Sequence, residues 1–130
     1  MSKKRFGTIR KFNRAILNPI MKLLAGRRGV FYSLVYHSGR RSGIDYATPV
    51  VAAKKDGSIY ICLTYGTDTD WFLNVQAAGH CKLKIDGHLY FASNPEAVGK
   101  ALALSAFSSS FQAKLEKATY VTQCLRLKTP

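Results

Sequence analysis

The chain has 130 residues and a formal net charge of +13, from 20 Lys and Arg against 7 Asp and Glu. That length suffices for one domain spanning 1–130 with a core of its own, without disulfide or metal staples. No stretch approaches the roughly 18 apolar residues of a membrane span, and no acid precedes Asp45, so the basic N-terminal part predicts an anionic partner.

In chain order, Thr8 to Ala25 carries Ile9, Phe12, Ile16, Ile20 and Leu23 at steps of three and four, with Lys11, Arg14 and Lys22 off the stripe. This predicts an amphipathic helix bent at Pro19 and stopped by Gly26, so that 1–26 forms a basic amphipathic segment. Such a segment suits either an anionic membrane surface or the side of the fold itself. Its apolar patch is interrupted by Asn18, Pro19 and Lys22 and lacks a small-residue cleavage site. A secretory signal is therefore not expected, and the placement is cytoplasmic, with a peripheral membrane contact at most.

The run VFYSLVY at 30–36 is β-branched and aromatic without helical period, and predicts a strand. YATPVVAA at 46–53 and SIYICLTY at 58–65 predict two more, joined by a tight turn at Asp56-Gly57. A second hairpin joins CKLKI at 81–85 to HLYFA at 88–92 through Asp86-Gly87, with Leu83 and Ile85 alternating against Lys82 and Lys84. Two such hairpins predict an antiparallel sheet that curls or closes. Between them, Thr69 or Asp70 opens a short helix packed by Trp71 and stopped at Gly79. Asn94-Pro95 predicts a cap and first helical position for Glu96 to Lys117, broken at the three serines 108–110. A last strand is expected over YVTQCLRL at 120–127.

Cys62, Cys81 and Cys124 stand apart in apolar runs with no C-x-x-C, and are expected reduced and buried. Histidines 37, 80 and 88 have no ligand spacing, so no metal is expected. The charge alone would admit nucleic acid, but no recognised motif accompanies it, and nucleic acid is not expected as a partner. A serine or cysteine hydrolase has no nucleophile motif here either. The remaining chemistry is one in which a cofactor reacts and the protein positions it.

Two constellations could serve that purpose. HSGRRSG at 37–43 connects two strands and combines Gly39 and Gly43 with Arg40, Arg41, Ser38 and Ser42. It suits an anion cradle, and equally a solvated basic turn. TYGTDTDW at 64–71 joins a strand end to a helix start, where free N–H groups and hydroxyls collect. Trp71 and Asn74 lie three residues apart on one helix face, and Trp71 suits core or ligand platform.

The combination of HSGRRSG (37–43), Pro49, TYG (64–66) and DWFLNVQA (70–77) resembles the deazaflavin-dependent nitroreductase and quinone reductase family. The resemblance covers roughly residues 30–93. It implies an α+β, mainly β, split β-barrel of the FMN-binding-like kind, and coenzyme F-420 in preference to FMN. Arg40, Arg41 and Ser42 would hold the anionic tail, beside His37, Ser38, Gly39, Gly43 and Pro49. Thr64 and Tyr65 would stand at the reacting ring with Gly66 and Thr67, while Trp71 and Asn74 would shape the pocket and fix the following loop. The implied activity is hydride transfer between the reduced coenzyme and an apolar acceptor such as a quinone or nitro compound, with a homodimer as the assembly. The turn after Thr64 is shorter and more acidic than the glycine-rich, proline-containing version of the family. The alternative on the same scaffold is a fatty-acid or lipid carrier without redox activity.

Overall fold

The computed structural model describes residues 23–130. The expected helix over Thr8 to Ala25, its bend at Pro19 and the basic segment 1–26 lie outside them, apart from Leu23 and Leu24, which are helical, and the turn they enter. Seven strands follow: β1 (Ser33–Ser38), β2 (Asp45–Val50), β3 (Ala52–Lys55), β4 (Ser58–Cys62), β5 (His80–Ile85), β6 (His88–Gly99) and β7 (Gln123–Lys128). Helix α1 (Asp70–Ala78) lies between β4 and β5; α2 (Lys100–Ala103), a 3-10 turn (Leu104–Ala106) and α3 (Ser109–Lys117) lie between β6 and β7.

All strand pairs are antiparallel, in the order β2-β1-β5-β6-β7-β4-β3. The two strands at opposite ends of that order are neighbours in the chain, separated by Val51 alone. A flat sheet cannot satisfy both facts, so the sheet curls until its ends meet at Val51, whose carbonyl accepts from the Cys62 N–H at 2.9 Å. Beyond that corner the ends diverge. Among the described residues β2 pairs with β1 alone, and its second edge faces an opening. The result is a split barrel, α+β in class and mainly β.

The hairpins form as their sequences require. Asp56 and Gly57 have φ of 53° and 77°, and Asp86 and Gly87 have 48° and 80°, two consecutive left-handed residues at each turn. The barrel interior follows the alternation: Val35, Ile59, Ile61, Leu83, Leu125 and Leu127 are fully buried, joined by Trp71, Phe72 and Val75 of α1. Each such side chain contributes about 1.5–3 kcal/mol on burial. A second cluster on the outer face, under α2 and α3, contains Val51, Cys62, Val98, Ala103, Phe107, Leu115, Val121 and Cys124.

The expected helix start at Asn94-Pro95 is wrong. β6 runs through both residues, pairing with β5 up to Ser93 and with β7 at Ser93 and again from Glu96 onward. Its register breaks between Ser93 and Glu96, where Asn94 adopts φ 54°. A proline lacks the N–H a ladder needs, and a break in the ladder is where a strand tolerates one. The helical part begins at Lys100 and is interrupted before Ser108, which caps α3 by accepting from the Phe111 N–H. Smaller differences concern strand limits: β1 starts at Ser33, the run 46–53 is divided at Val51, β4 ends at Cys62, and the last strand starts at Gln123.

Candidate functional site

The opening of the barrel is a cleft of about 630 Å³ between the free edge of β2 and residues 62–66. The 39–42 stretch lies at one side, and Asp70, Trp71 and Asn74 of α1 close an end. β1 delivers the chain into the loop and β2 carries it away, so both ends of the loop are set by strand pairing from Ser33↔Val50 to Ser38↔Asp45. Within the loop the Gly39 N–H donates to Ile44 O at 2.8 Å, and the Gly43 N–H donates to Gly39 O at 2.9 Å. The Ile44 N–H donates to Ser42 Oγ at 3.2 Å. A Cβ at Gly39 would collide with that same Ser42 Oγ, so a side chain there would displace the hydroxyl from its bond to the Ile44 N–H.

Asn74 fastens the loop to α1. Its Oδ1 accepts from the Arg40 backbone N–H at 3.0 Å and from Arg40 Nη1 at 2.8 Å. Because both Arg40 groups are donors only, the orientation of the amide is settled by chemistry: Nδ2 faces His37 Nδ1, 3.0 Å away, and donates to it. His37 Nδ1 is therefore unprotonated and Nε2 carries the hydrogen, which it gives to Thr48 Oγ1 at 2.9 Å. Burial lowers the pKa of His37 below 6.5, against a smaller upward pull from Asp70, which favours the same neutral ring. Arg40 also meets Asp70 at 3.4 Å, but that carboxylate is 87% exposed, and such pairs contribute little. Asn74, only 4% exposed, is the anchor.

The tip of the loop is different. Among the described residues, the backbone N–H groups of Arg41 and Ser42 make no hydrogen bond, and both residues are exposed. Two consecutive free N–H groups beside a guanidinium and a hydroxyl are the kind of donor set from which anion-binding concavities are built. Arg41 thus has the freedom that Arg40 lacks. Next to it, Tyr46 stacks on His37 with ring centres 5.7 Å apart and planes 23° apart, giving the β2 side a flat aromatic surface.

Across the cleft, Cys62 and Leu63 are buried, and the Gly66 N–H donates to Leu63 O at 3.1 Å to close the turn. Thr64 and Tyr65 are half-buried. Burial raises the Tyr65 pKa above 10.0, and the neighbouring Tyr32 and Tyr120 raise it further, so its phenol stays protonated. Trp71 is at once part of the main core, 8% exposed, and part of the cleft lining.

The cleft brings together His37, Gly39, Arg40, Arg41, Ser42, Pro49, Thr64, Tyr65, Gly66, Trp71 and Asn74 from the sequence-predicted set. Three lie outside its lining: Gly43, Thr67 and Ser38, the last of which donates to Asp45 Oδ1 at 2.8 Å and borders a neighbouring cavity of about 550 Å³. Asn74 secures the loop at 39–43, which precedes it in sequence. Sequence reasoning missed Tyr46, Ala47, Thr48, Val50, Val51, Cys62, Leu63 and Asp70 as lining. For Tyr46, Ala47, Thr48 and Val50 the signal is the free edge of β2, which only strand order reveals.

No family model and no curated protein matches the chain. Solved structures match it in fold. An F420-H2 dependent reductase, FDR-A, is 16% identical, covering 78% of this chain and 96% of its own, with a TM-score of 0.51. An F420 reductase is 12% identical, covering 84% and 92%, with a TM-score of 0.54. A protein described as a domain-swapped dimer is 13% identical, covering 95% and 98%, also at 0.54. At these identities the likeness establishes the fold alone.

Proposed function

We propose that this chain is a deazaflavin-dependent reductase, moving a hydride between reduced coenzyme F-420 and an apolar acceptor such as a quinone or nitro compound. The observation that carries the proposal is the convergence on one cleft, at the split of the barrel, of the 37–43 motif with the 64–66 and 70–77 motifs, from which β2, β3 and β4 separate it in the chain. The residues fit such a group. The unengaged N–H groups of Arg41 and Ser42, with the Arg41 guanidinium, offer an anionic tail a ready set of donors. A volume of about 630 Å³ falls in the range of ligand pockets.

When bound, the coenzyme would supply or accept the hydride; the chain's own contribution is placement and exclusion of water. Tyr46 stacked on His37 presents a flat face, and Val50, Leu63 and Trp71 make the apolar part of the lining. Thr48 Oγ1, which accepts from His37, keeps its own hydrogen to donate elsewhere. Thr64 adds a second hydroxyl on the opposite wall. Tyr65, held protonated, can donate but cannot act as a base near neutral pH.

The test is a titration of the purified protein with oxidised F-420, with FMN and with a long-chain fatty acid, read by the emission of its single tryptophan, Trp71. Saturable binding of F-420 in preference to the others is expected. Preference for the fatty acid would overturn the redox reading in favour of a lipid carrier. Pairing of two chains belongs to the same proposal, supported by the fold neighbour described as a domain-swapped dimer, and sedimentation equilibrium tests it. So does contact of the basic segment 1–26 with an anionic membrane, tested by vesicle co-sedimentation at low and high salt.

A further inference from the structure

Cys62 and Cys124 are separated by most of the second half of the chain, yet they stand directly opposite each other on β4 and β7. The ladder on either side fixes what kind of pair they form. The Leu63 N–H donates to Gln123 O at 3.2 Å, and the Thr129 N–H donates to Gly57 O at 2.9 Å, so the odd-numbered positions of β4 are the hydrogen-bonded ones. Cys62↔Cys124 is therefore a non-hydrogen-bonded pair, the closer of the two antiparallel arrangements. Its Cα atoms lie about 4.5 Å apart in such a pair, within the roughly 4.4–6.8 Å that a disulfide spans. Opposite residues project to the same face, and both thiols belong to the cluster under α2 and α3. Cys62 also lines the cleft, whereas Cys124 is fully buried.

We propose that Cys62 and Cys124 are a redox-active dithiol, closed to an intramolecular disulfide by a small peroxide that enters through the cleft. Contact with Cys124 and burial push the Cys62 thiol up, whereas contact with Cys62, the Lys100 ammonium and the Leu63 N–H draw Cys124 down against its burial, so negative charge is better tolerated on Cys124. Lys100 is held in position by donating to Leu115 O at 2.9 Å and Ala118 O at 3.1 Å.

These positions divide the chemistry. Cys62 Sγ, the sulfur at the cleft, attacks one peroxide oxygen. The O–O bond breaks, the departing hydroxide takes the proton that Cys62 gives up and leaves as water, and Cys62 becomes a sulfenic acid. Cys124 sulfur then attacks Cys62 sulfur; the S–S bond forms, the S–O bond breaks, and the hydroxyl leaves with the Cys124 proton as a second water. Two electrons pass from the thiol pair to the peroxide. Cys81 sits on β5 opposite Ala92, with no cysteine facing it, so it takes no part.

Full-length reduced protein treated with hydrogen peroxide is expected to lose two hydrogens from its intact mass and two of its three alkylatable thiols. Peptide mapping should recover a Cys62–Cys124 cross-link within one chain, and a dithiol reductant should restore all three thiols. Cys81→Ser should behave as the parent. Cys124→Ser, checked for folding by circular dichroism, should keep an oxygen on Cys62 or form a mixed disulfide there with added glutathione. Retention of all three thiols by the folded parent after peroxide, or a cross-link that uses Cys81 or joins two chains, overturns the proposal. The parent's peptide map decides even if Cys124→Ser fails to fold, and it does not depend on which ligand the cleft takes.

Discussion

The two walls of the cleft are held by different physics. The wall made by β2 and the 39–43 loop hangs on directional bonds that converge on one amide, from Arg40 through Asn74 and His37 to Thr48. The wall from Cys62 to Gly66 is held by burial: Cys62 is 4% exposed and Leu63 3%, both packed into core clusters. Burial degrades with the area lost, whereas a converging polar network fails when its central atom is removed. Apolar substitutions of matched shape should therefore be forgiven on one wall and not on the other.

Leu63→Ala gives the largest expected effect, a loss of about 2–5 kcal/mol from the missing side chain and the cavity it leaves. Leu63→Met should recover most of it, to within about 1.5 kcal/mol of the parent, because volume is conserved. Urea unfolding of the three proteins measures this. Asn74→Ala should cost about 2–4 kcal/mol by leaving the Arg40 donors and the His37 acceptor unmet at about 1–3 kcal/mol apiece, partly relieved by water. Asn74→Leu should recover none of that, although it restores bulk. Should leucine rescue both walls equally, the network is incidental and packing explains the loop.

A smaller effect separates the two arginines. Arg41→Ala should weaken F-420 binding about tenfold or more, as expected for losing a charge-assisted contact, and change stability by less than about 0.5 kcal/mol. Arg40→Ala should lower stability as well, because its guanidinium and the Asn74 amide are mutual partners. Isothermal titration beside thermal melting resolves the two. Equal stability losses for both variants would contradict the division of labour between strut and free donor.

How much of this was legible in sequence follows from what each feature depends on. The Lys82-Leu83-Lys84-Ile85 alternation and the Asp-Gly turns are local signals, and both hairpins form where they indicate. The helix from Thr69 to Gly79 is equally local. Pro95 misled because the same dipeptide suits a helix start and a ladder break; the choice is made by β7, roughly thirty residues on in the sequence. Arg40 and Arg41 are adjacent and chemically identical, so nothing local could assign one to Asn74 and the other to solvent. The facing of Cys62 and Cys124 depends on the register of β4 against β7, which no local pattern encodes.

The smallest expected effect probes the same network through its one titratable member. His37 accepts from Asn74 at Nδ1 and donates from Nε2, and protonation would put a second hydrogen at Nδ1, facing the amide N–H. Asn74 cannot answer by rotating, since Oδ1 would then abandon both Arg40 donors. Burial already depresses the folded-state pKa of His37 below its ordinary 6.5. Between the two pKa values the unfolded chain binds more protons than the folded one, so stability falls as pH falls through that window. The contribution is fully present above about 6.5 and levels off once pH is below the folded value. Because other groups titrate nearby, the measurement is a difference: unfolding free energy of the parent minus that of His37→Gln, followed across the acidic side of neutrality. Glutamine carries no titrating proton, so the parent's advantage should shrink as pH drops. A difference that stays flat would mean that His37 keeps its ring neutral without cost or moves out of the network unopposed, and Asn74 would then be anchored by Arg40 alone.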